Sequence, residues 1–592
     1  MTIPYIAPVD EMLFTMESIA CWRDGVNVPA DLAEADIRAI LQEAGKLVAE
    51  RIAPLNRAGD LSPPILRDGK VTMPAGWKAG FHEWASAGWH AVSLPAEYGG
   101  AGIPAIIGTA SMEMLTSACM ALGTLPVLNQ GAVEALSVHA SPALKSLYLP
   151  RLVTGEWAAT MDLTEPQAGS DLSTLRTTAM PSPDGTYRIA GRKIYITFGE
   201  HDLTDNIVHL VLARLPDAPP GSRGISLFLV PKRIPGPDGR PGSLNDITCV
   251  GMEHKLGIRA SPTCTMALGE RGGATGWLVG EPHQGLRCLF TMMNRTRLAT
   301  GVQGVAIAER ALQQALAYAR ERRQGRLPSG NEVVPIIEHP DVARNLMLMS
   351  AMTAATRALA YRAAAEIHRA AHGQDDATRV HAQRHADLLT PLVKAYATDS
   401  GVAVASLGIQ IHGGAGYVED PGAAQHWRDA RIAPIYEGTN GIQSIDLVMR
   451  KIVRDEGAGV RALLAEMRRT GAALKAMVKQ PFADMGRQLA DAVTSAQHAT
   501  DWLLAPGREA DDRLAVATPY AELLATAFAG ALLSKGALAA AGDGGESARN
   551  QRRILLAEFY LQTILPHVSA LSQNVMSGGR AVREMRALWV HG

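Results

Sequence analysis

The residue best placed to do chemistry in this 592-residue chain is Glu437, within the segment Ile435–Gln443. Ile435 and Tyr436 precede it, and a Gly-Thr-Asn-Gly turn follows it. Apolar neighbours disfavour an ionised carboxylate and raise its pKa toward the range in which it can accept a carbon-bound proton. Glycines in the turn let the backbone approach a ligand closely. The segment predicts a general base beside a nucleotide-type ligand; the ordinary alternative is a turn or helix-start carboxylate.

A second motif, Leu163–Asp171, has the sequence Leu-Thr-Glu-Pro-Gln-Ala-Gly-Ser-Asp. Its hydroxyl groups, at Thr164 and Ser170, and the backbone amides beside Gly169 are suited to a polar heterocycle and a phosphate. The alternative is an ordinary exit from a strand into a loop, where the same residue types are common.

A third motif, Lys193–Gly199, has the pattern of a strand. Strict alternation places Lys193, Tyr195 and Thr197 on one face, where a ring and a hydroxyl can contact a planar cofactor. The alternative is a β-rich edge with an aromatic filler.

Two segments of the predicted helical region complete the set, Tyr318–Gly325 and Gln410–Tyr417. The ordinary alternative for the first is that arginines near a helix C-terminus interact favourably with the helix dipole. The ordinary alternative for the second is that a glycine-rich turn after a helix is a C-cap. His412 is interpreted as a hydrogen-bonded histidine rather than a metal ligand, because no second donor has suitable spacing.

Bulk properties exclude several classes of function. The chain has 57 Lys+Arg and 58 Asp+Glu, so it has no basic field for nucleic acid. Its five cysteines have no metal-binding spacing, which indicates a reducing compartment without disulfides or structural zinc. The N-terminus has no secretory signal pattern, so we expect a cytoplasmic protein. The apolar run Leu523–Leu533 is too short to span a membrane and predicts a buried helix.

The pattern along the chain predicts a mainly helical α+β protein of four domains. Residues 1–156 form an N-terminal helical domain, 157–285 a small β domain, 286–456 a four-helix bundle with Glu437, and 457–592 a helical extension. In the bundle we expect a long helix from Asn294, a second from Pro340 past Ala370, and a third over Asp387–Leu407, closed by Gly408–Gly416. The extension is expected to contain three or four helices, with a break at Gly542–Gly545.

These motifs, in this order, resemble the acyl-CoA dehydrogenase flavoproteins over residues 40 to 455. The length, the N-terminal segment Tyr5–Asp10 and the C-terminal extension look like the longer subgroup, which includes long-chain enzymes and 3-methylmercaptopropionyl-CoA dehydrogenases. Several matching motifs in order are more specific than any one alone.

The resemblance implies a noncovalent FAD and assigns roles residue by residue. The implied cofactor contacts are Thr164 and Thr197 at the flavin, Ser170 near the pyrophosphate, Thr439, and, toward the FAD of a neighbouring subunit, Arg322, Gln410, Gly413 and Gly414. Asn294 and Arg297 match a substrate-facing element, and Glu437 matches the catalytic base. A homodimer is implied because the active site includes residues from both subunits.

The implied reaction is the α,β-dehydrogenation of an acyl-CoA to a trans-2-enoyl-CoA. Glu437 takes the α-proton, its backbone amide helps to polarise the thioester carbonyl, and FAD accepts the β-hydrogen. Electrons then pass to electron-transferring flavoprotein. The expected substrate is a medium or long straight acyl chain of the type used in fatty acid β-oxidation, with Glu437, Asn294 and Arg297 at the substrate.

Three alternatives stay open at the level of sequence. The substrate can be a short thioether-containing acyl chain instead of a straight one. An oxidase or flavin monooxygenase on the same fold would pass electrons to oxygen. A non-catalytic assembly protein would keep the fold without turnover, although an intact Glu437 argues against it.

Overall fold

The computed structural model describes residues 3–28, 32–328, 330–477, 479–542 and 547–591. The chain divides into two compact units. One, called the bundle unit below, comprises residues 1–42 and 297–592, and the other, the sheet unit, comprises residues 43–296. The predicted boundaries at residues 156, 285 and 456 stay predictions.

The first 155 residues are mainly helical, as predicted. Their helices are α1 (Val9–Phe14), α2 (Glu34–Leu47), α3 (Ala53–Leu61), α4 (Trp77–Ser86), α5 (Ala105–Ala118), α6 (Met120–His139) and α7 (Pro142–Thr154), with a short hairpin of β1 (Ile65–Arg67) and β2 (Lys70–Thr72). The ends of α7 show how the sequence sets its length. Ser141 caps it by accepting the Leu144 N–H at 3.4 Å, and Gly155, with a φ of +77°, ends it.

A sheet follows these helices, which confirms the predicted β region. Its elements are β3 (Trp157–Asp162), β4 (Thr178–Pro181), β5 (Tyr187–Thr197), β6 (Asn206–Arg214), β7 (Ile225–Pro231), β10 (Ile247–Met252), β11 (Thr263–Leu268) and β12 (Ala274–Val279), while β8 (Arg233–Pro235) and β9 (Pro241–Leu244) form a separate hairpin. The order is β10-β11-β5-β12-β7-β6-β3, and β4 pairs with β5 and β6. Every residue of β7 is buried, as expected of an apolar run without alternation.

The predicted alternation in β5 is wrong at its C-terminal end. The pairing register of β5 with β11 shifts between Lys193 and Ile196, and Tyr195 within this interval has a φ of +60°. A β-bulge inserts an extra residue and reverses the direction of the side chains beyond it. Lys193 is therefore buried, whereas Tyr195 is 61% exposed, so the two do not share a face.

The bundle has longer helices than the sequence predicted. They are α8 (Gly285–Glu321), α9 (Pro340–His372), α10 (Asp376–His412), α11 (Gly414–Tyr417), α12 (Ala423–Ala430) and α13 (Asn440–Ile445), and β13 (Arg323–Arg326) pairs with β14 (Val333–Pro335). π-Helical turns follow α1, α2 and α13 over Thr15–Ala20, Val48–Ile52 and Asp446–Ile452. The predicted start at Pro340 is confirmed.

Helix α10 corrects the prediction of a helix over Asp387–Leu407. It begins eleven residues earlier because the Asp375 carboxylate accepts the Thr378 N–H at 2.7 Å and caps the helix. It continues through Gly408 to His412, so the predicted closing segment is partly helical. Gly408 is buried in the bundle, where tertiary packing outweighs its low helix propensity.

The C-terminal extension contains more helices than the three or four predicted. They are α14 (Ala458–Ala476), α15 (Phe482–Leu504), α16 (Ala510–Ala515), α17 (Ala517–Gly542), α18 (Ala548–Thr563), α19 (His567–Ser577) and α20 (Arg580–His591). Most of the predicted break at Gly542–Gly545 lies outside the described residues. The extension belongs to the same compact unit as the bundle: Arg362 pairs with Glu466 at 2.9 Å, and the hydroxyls of Tyr396 and Tyr560 are 2.8 Å apart.

Within the described residues, two helical stretches are long and apolar enough to cross a membrane, Ala517–Gly542 and Ala548–Ser577. In the first stretch, 83% of the apolar window is buried inside the protein, as in the core helix of a folded domain. This confirms the prediction that Leu523–Leu533 lies in a buried helix. In the second stretch, 33% is buried.

Candidate active site

The Glu437 turn has a backbone that its own neighbours hold in place. Glu437 has a φ of +56°, in the left-handed region that a non-glycine residue adopts only when its surroundings enforce it. The Gln443 amide donates to the carbonyl oxygens of Glu437 at 3.1 Å and of Gly438 at 3.3 Å. Thr439 caps α13 by accepting the Ile442 N–H at 3.3 Å. These contacts fix the direction in which the Glu437 side chain leaves the backbone.

Gly438 is required in this turn for two reasons. Its φ is +83°, and a Cβ atom at this position would lie 2.8 Å from Gln443 Nε2. A larger residue would therefore disturb the amide that fixes Glu437.

The Glu437 carboxyl lies in a recess that desolvates it but leaves it partly accessible. The side chain is half-buried. Burial raises the pKa of Glu437 above its usual value, and the positive charges of Lys394 and Arg297 oppose this shift. A raised pKa suits a base that must take up a proton near neutrality.

Lys394 is a buried charge that acts on Glu437 and that the sequence motifs did not predict. It is fully buried on α10 and donates to Asn440 Oδ1 at 2.9 Å, while no hydrogen bond joins it to Glu437 in the structure, which describes both side chains. Burial lowers the pKa of Lys394 to about 8, against the opposing influence of the Glu437 and Asp399 carboxylates. Asn440 is itself fixed by donating to Ala395 O at 3.1 Å and Thr398 Oγ1 at 3.0 Å. These bonds hold the charge of Lys394 at a defined position, from which it acts on Glu437.

The predicted substrate residues Asn294 and Arg297 lie one helical turn apart on α8. Asn294 is half-buried and belongs to the sheet unit. Arg297 is buried in the bundle unit, where its Nη1 atom is 3.0 Å from Asp446 Oδ2. Its buried Nε atom has no hydrogen-bond partner among the described residues. Arg297 therefore acts on Glu437 through its charge and keeps one donor uncommitted.

The predicted cofactor residues of the bundle unit lie at two neighbouring helix ends and in the Glu437 turn. His412, near the end of α10, stacks on Tyr318 of α8 with ring centres 4.4 Å apart. Arg322, one residue beyond the end of α8, is exposed, and so are Gln410, Gly413 and Gly414. His412 donates from Nδ1 to Gly408 O at 2.7 Å, which confirms its interpretation as a hydrogen-bonded histidine.

In the sheet unit, the predicted residues Thr164 and Thr197 lie in two segments that contact each other, the loop of the second motif and strand β5. The Ile194 N–H donates to Thr164 O at 2.9 Å, so the second motif lies against strand β5. Thr164 and Thr197 are half-buried, and Ser170 is exposed farther along the loop. The hydroxyl groups of this loop are therefore carried by a backbone that strand β5 holds in place.

A buried carboxylate, Glu165, anchors this loop. The sequence motifs did not assign it a role. Lys193 Nζ donates to Glu165 at 2.8 Å, as do the Thr177 hydroxyl at 2.5 Å and three further donors, the backbone amides of Arg176 and Thr177 and the Gln167 side chain. Burial alone would raise the pKa of Glu165, but Lys193 and the other donors lower it to about 2. The sequence offered one signal: Lys193 lies within a β-rich strand and needs a partner there.

The accessible polar side chains of these segments fit a large polar cofactor such as FAD. The side-chain hydroxyls of Thr164, Ser170 and Thr197 and the amide of Gln410 have no hydrogen-bond partner in the part of the chain that the structure describes. Positions Gly169, Gly413 and Gly414 have no atom within 4 Å of where a Cβ would be. Accessible donors beside open backbone are what a phosphate and a heterocycle need.

Family models match most of the chain. Residues 34–156, 160–270 and 283–452 match the N-terminal, middle and C-terminal domains of acyl-CoA dehydrogenase, and residues 463–586 match a model described as acetyl-CoA dehydrogenase C-terminal like.

Two curated relatives cover nearly the whole chain. A 3-methylmercaptopropionyl-CoA dehydrogenase of Ruegeria pomeroyi is 45% identical over 97% of this chain and 98% of its own. The broad-specificity linear acyl-CoA dehydrogenase FadE5 of Mycobacterium tuberculosis is 31% identical over 93% of both chains.

Solved structures share the fold. ACDH-11 of Caenorhabditis elegans, in complex with C11-CoA, is 22% identical with a TM-score of 0.77 and covers 95% of this chain and 92% of its own. An acyl-CoA dehydrogenase of Bacillus anthracis complexed with FAD is 22% identical, has a TM-score of 0.75, and covers 95% of this chain and 91% of its own. The predicted fold, with an N-terminal helical domain, a middle β domain, a C-terminal helical domain and an added helical extension, is confirmed.

Proposed function

Because the chain belongs to the acyl-CoA dehydrogenase family of FAD-dependent oxidoreductases, we propose that Glu437 is the base that removes the α-proton of its acyl-CoA substrate. The observation that carries this proposal is the Glu437 recess, in which a half-buried carboxyl has a raised pKa and a fixed backbone. Glu165, beside the Thr164 loop, has a pKa of about 2 and is surrounded by five donors, so it is a poor base.

The reaction breaks two C–H bonds and forms the Cα–Cβ double bond of an enoyl-CoA. Glu437 accepts the α-proton, and the electron pair of that bond becomes the second bond between the two carbons. FAD, when bound, supplies the acceptor for the β-hydrogen and its electron pair. Apolar enclosure keeps the proton on the carboxyl until product leaves, and the charge of Lys394 favours the ionised base before substrate binds.

We assign the cofactor contacts to the residues that the motifs predicted. Thr164 and Thr197 would contact the flavin ring of FAD, Ser170 would lie near its pyrophosphate, and Thr439 would also contact FAD. Arg322, Gln410, Gly413 and Gly414 would hold the FAD of a neighbouring subunit in a homodimer. The exposure of Arg322 and Gln410 supports this second assignment.

Two substrate classes follow from the relatives. Full-length similarity at 45% identity favours a short thioether chain like that of 3-methylmercaptopropionyl-CoA. Similarity at 31% to a broad-specificity linear enzyme favours straight chains, with a place in fatty acid β-oxidation. We propose electron-transferring flavoprotein as the electron acceptor and a cytoplasmic location, which the five free cysteines support.

The test is anaerobic titration of the purified flavoprotein with acyl-CoAs. Butyryl-, octanoyl-, palmitoyl- and 3-methylmercaptopropionyl-CoA are added in turn, and the flavin absorbance and the enoyl product are followed. We expect stoichiometric bleaching with at least one thioester. Bleaching by none of them contradicts the proposal, and peroxide formed in proportion to substrate in air would indicate an oxidase.

A further inference from the structure

The bundle unit contains a cavity of about 520 Å³ that is separate from the Glu437 turn. It lies between the N-terminal arm, residues 3–19, and helices α8, α9, α17 and α18. Its lining includes neither Glu437 nor any residue assigned to FAD. The volume is within the range of roughly 300–1,000 Å³ typical of small-molecule sites.

One wall of the cavity is a short peptide that is tethered to α8. Arg310 donates to Ile3 O at 2.6 Å. The Gln313 amide donates to Ile6 O at 2.7 Å and accepts the Ile6 N–H at 3.2 Å. These bonds use the backbone of the arm and leave its apolar side chains free to line the cavity. The arm is therefore a built wall of the cavity.

The interior is lined largely by apolar side chains from the arm, α8, α17 and α18. They include Phe14, Ile19, Leu312, Leu316, Leu533 and Leu556. A surface of this kind favours an aliphatic chain, because each methylene group removed from water contributes favourably to binding.

Polar groups at the cavity leave an excess of positive charge. Two of its four arginines are neutralised by carboxylates that also line it: Arg357 is 2.8 Å from Glu309, and Arg553 is 3.0 Å from Glu11. The other two, Arg320 and Arg552, are exposed and have no ion pair or hydrogen bond among the described residues. An aliphatic interior with two uncommitted guanidinium groups matches an amphipathic anion, since a carboxylate accepts two parallel bonds from an arginine.

We propose that this cavity binds a single-chain fatty carboxylate at a site separate from the dehydrogenase site. The aliphatic chain lies against the leucines of α8, α17 and α18, and the carboxylate meets Arg552 and Arg320. The site needs no residue of the proposed catalytic reaction, so its occupancy can be measured whether or not a given acyl-CoA is turned over.

The test is calorimetric titration of the purified flavoprotein with dodecanoate, in the absence and presence of saturating acyl-CoA under anaerobic conditions. We expect one site per chain in both conditions. Across octanoate, decanoate and dodecanoate, affinity should rise about two- to fourfold per methylene. Butyrate, which has the head without the chain, and dodecyltrimethylammonium, which has the chain with a cationic head, should bind at least about tenfold more weakly than dodecanoate.

Variants locate the binding. Arg552→Gln should weaken dodecanoate binding by about tenfold or more, and Ala317→Phe should abolish it by filling the cavity. Arg549→Gln is the matched control, because Arg549 lies on the same helix but pairs with Asp10 at 2.8 Å and does not line the cavity. Absence of saturable binding, displacement by acyl-CoA, or equal affinity in Arg552→Gln and Arg549→Gln would each overturn the proposal. Flavin content and thermal unfolding confirm that each variant is folded.

Discussion

Two glutamate–lysine pairs, one in each unit, have opposite electrostatic consequences. In the sheet unit, Lys193 bonds directly to Glu165 at 2.8 Å, and the pKa of the carboxyl falls to about 2. In the bundle unit, Lys394 bonds instead to Asn440 at 2.9 Å, and the pKa of Glu437 rises. The same two residue types therefore give a permanently charged anchor in one place and a candidate base in the other.

The two sites differ in whether the lysine donates a hydrogen bond to the carboxylate or acts on it only through its charge. At Glu165, five hydrogen-bond donors replace the water lost on burial, so the ionised form is favoured. At Glu437, the amide of Asn440 takes the lysine donor, and the carboxyl experiences only the longer-range charges of Lys394 and Arg297. A carboxylate that accepts several hydrogen bonds stays ionised and stabilises the fold. A carboxylate that is influenced only by the charge of a nearby group can still take up and release a proton.

The largest expected effect comes from exchanging each glutamate for glutamine. Glu437→Gln should slow anaerobic flavin reduction by about a thousandfold or more, because the amide cannot accept the proton. It should leave the flavin content unchanged. Glu165→Gln should destabilise the fold while the rate per bound flavin changes far less. Equal rates for Glu437→Gln and the wild type in stopped-flow reduction would remove Glu437 from the mechanism.

The next largest effect is expected on stability, from breaking the Lys193–Glu165 pair of the sheet unit. Lys193→Met should lower the free energy of unfolding in urea by about 3–5 kcal/mol, because Glu165 is left charged and buried. The matched control is Arg192→Met, the neighbouring residue, whose pair with Glu270 is exposed at 3.5 Å and should contribute at most about 1 kcal/mol. If both variants lose the same stability, the pair is not the anchor of the loop.

The two carboxyls should also respond oppositely to acid. Glu165 has a folded pKa of about 2 against a usual value of 4.5, so its stabilisation of roughly 3 kcal/mol is present above pH 4.5 and lost as pH falls toward 2. Glu437 has a raised pKa and destabilises the folded state above its usual pKa, a cost that acid relieves. The stability difference between the wild type and Glu165→Gln, measured by urea unfolding, should therefore shrink between pH 5 and pH 3. A constant difference would contradict the lowered pKa.

The smallest expected effect is on the tuning of the base. Lys394→Met removes a charge that favours ionised Glu437, so the acid limb of the kcat/KM pH profile should move up by about one pH unit. Below that limb the rate should fall about tenfold, with less change at high pH. Lys451→Met is the control, because Lys451 pairs with Asp387 at 3.4 Å and is absent from the charges that shift Glu437. An unchanged acid limb in Lys394→Met would show that Lys394 is structural only.

Local sequence was enough to predict several of the elements and the order of the motifs. The helix start at Pro340, the buried helix around Leu523–Leu533 and the sheet between two helical regions follow from caps and periodicity, and the structure confirms them. Errors occurred where distant packing overrides a local preference. The sequence predicts a helix break at Gly408, which is instead buried within α10. It predicts a regular strand at Tyr195, which instead lies in a bulge.

By itself, the sequence determined which side chains are available to this protein: a carboxylate next to a glycine turn, loops with free hydroxyls, and helices long enough to hold them. Only the tertiary structure decided which carboxylate is an anchor and which a candidate base. The pKa of a buried group depends on the donors and charges that reach it from other elements. Lys193 and Lys394 are 28 and 43 residues from the glutamates they influence, a separation that no local pattern reveals.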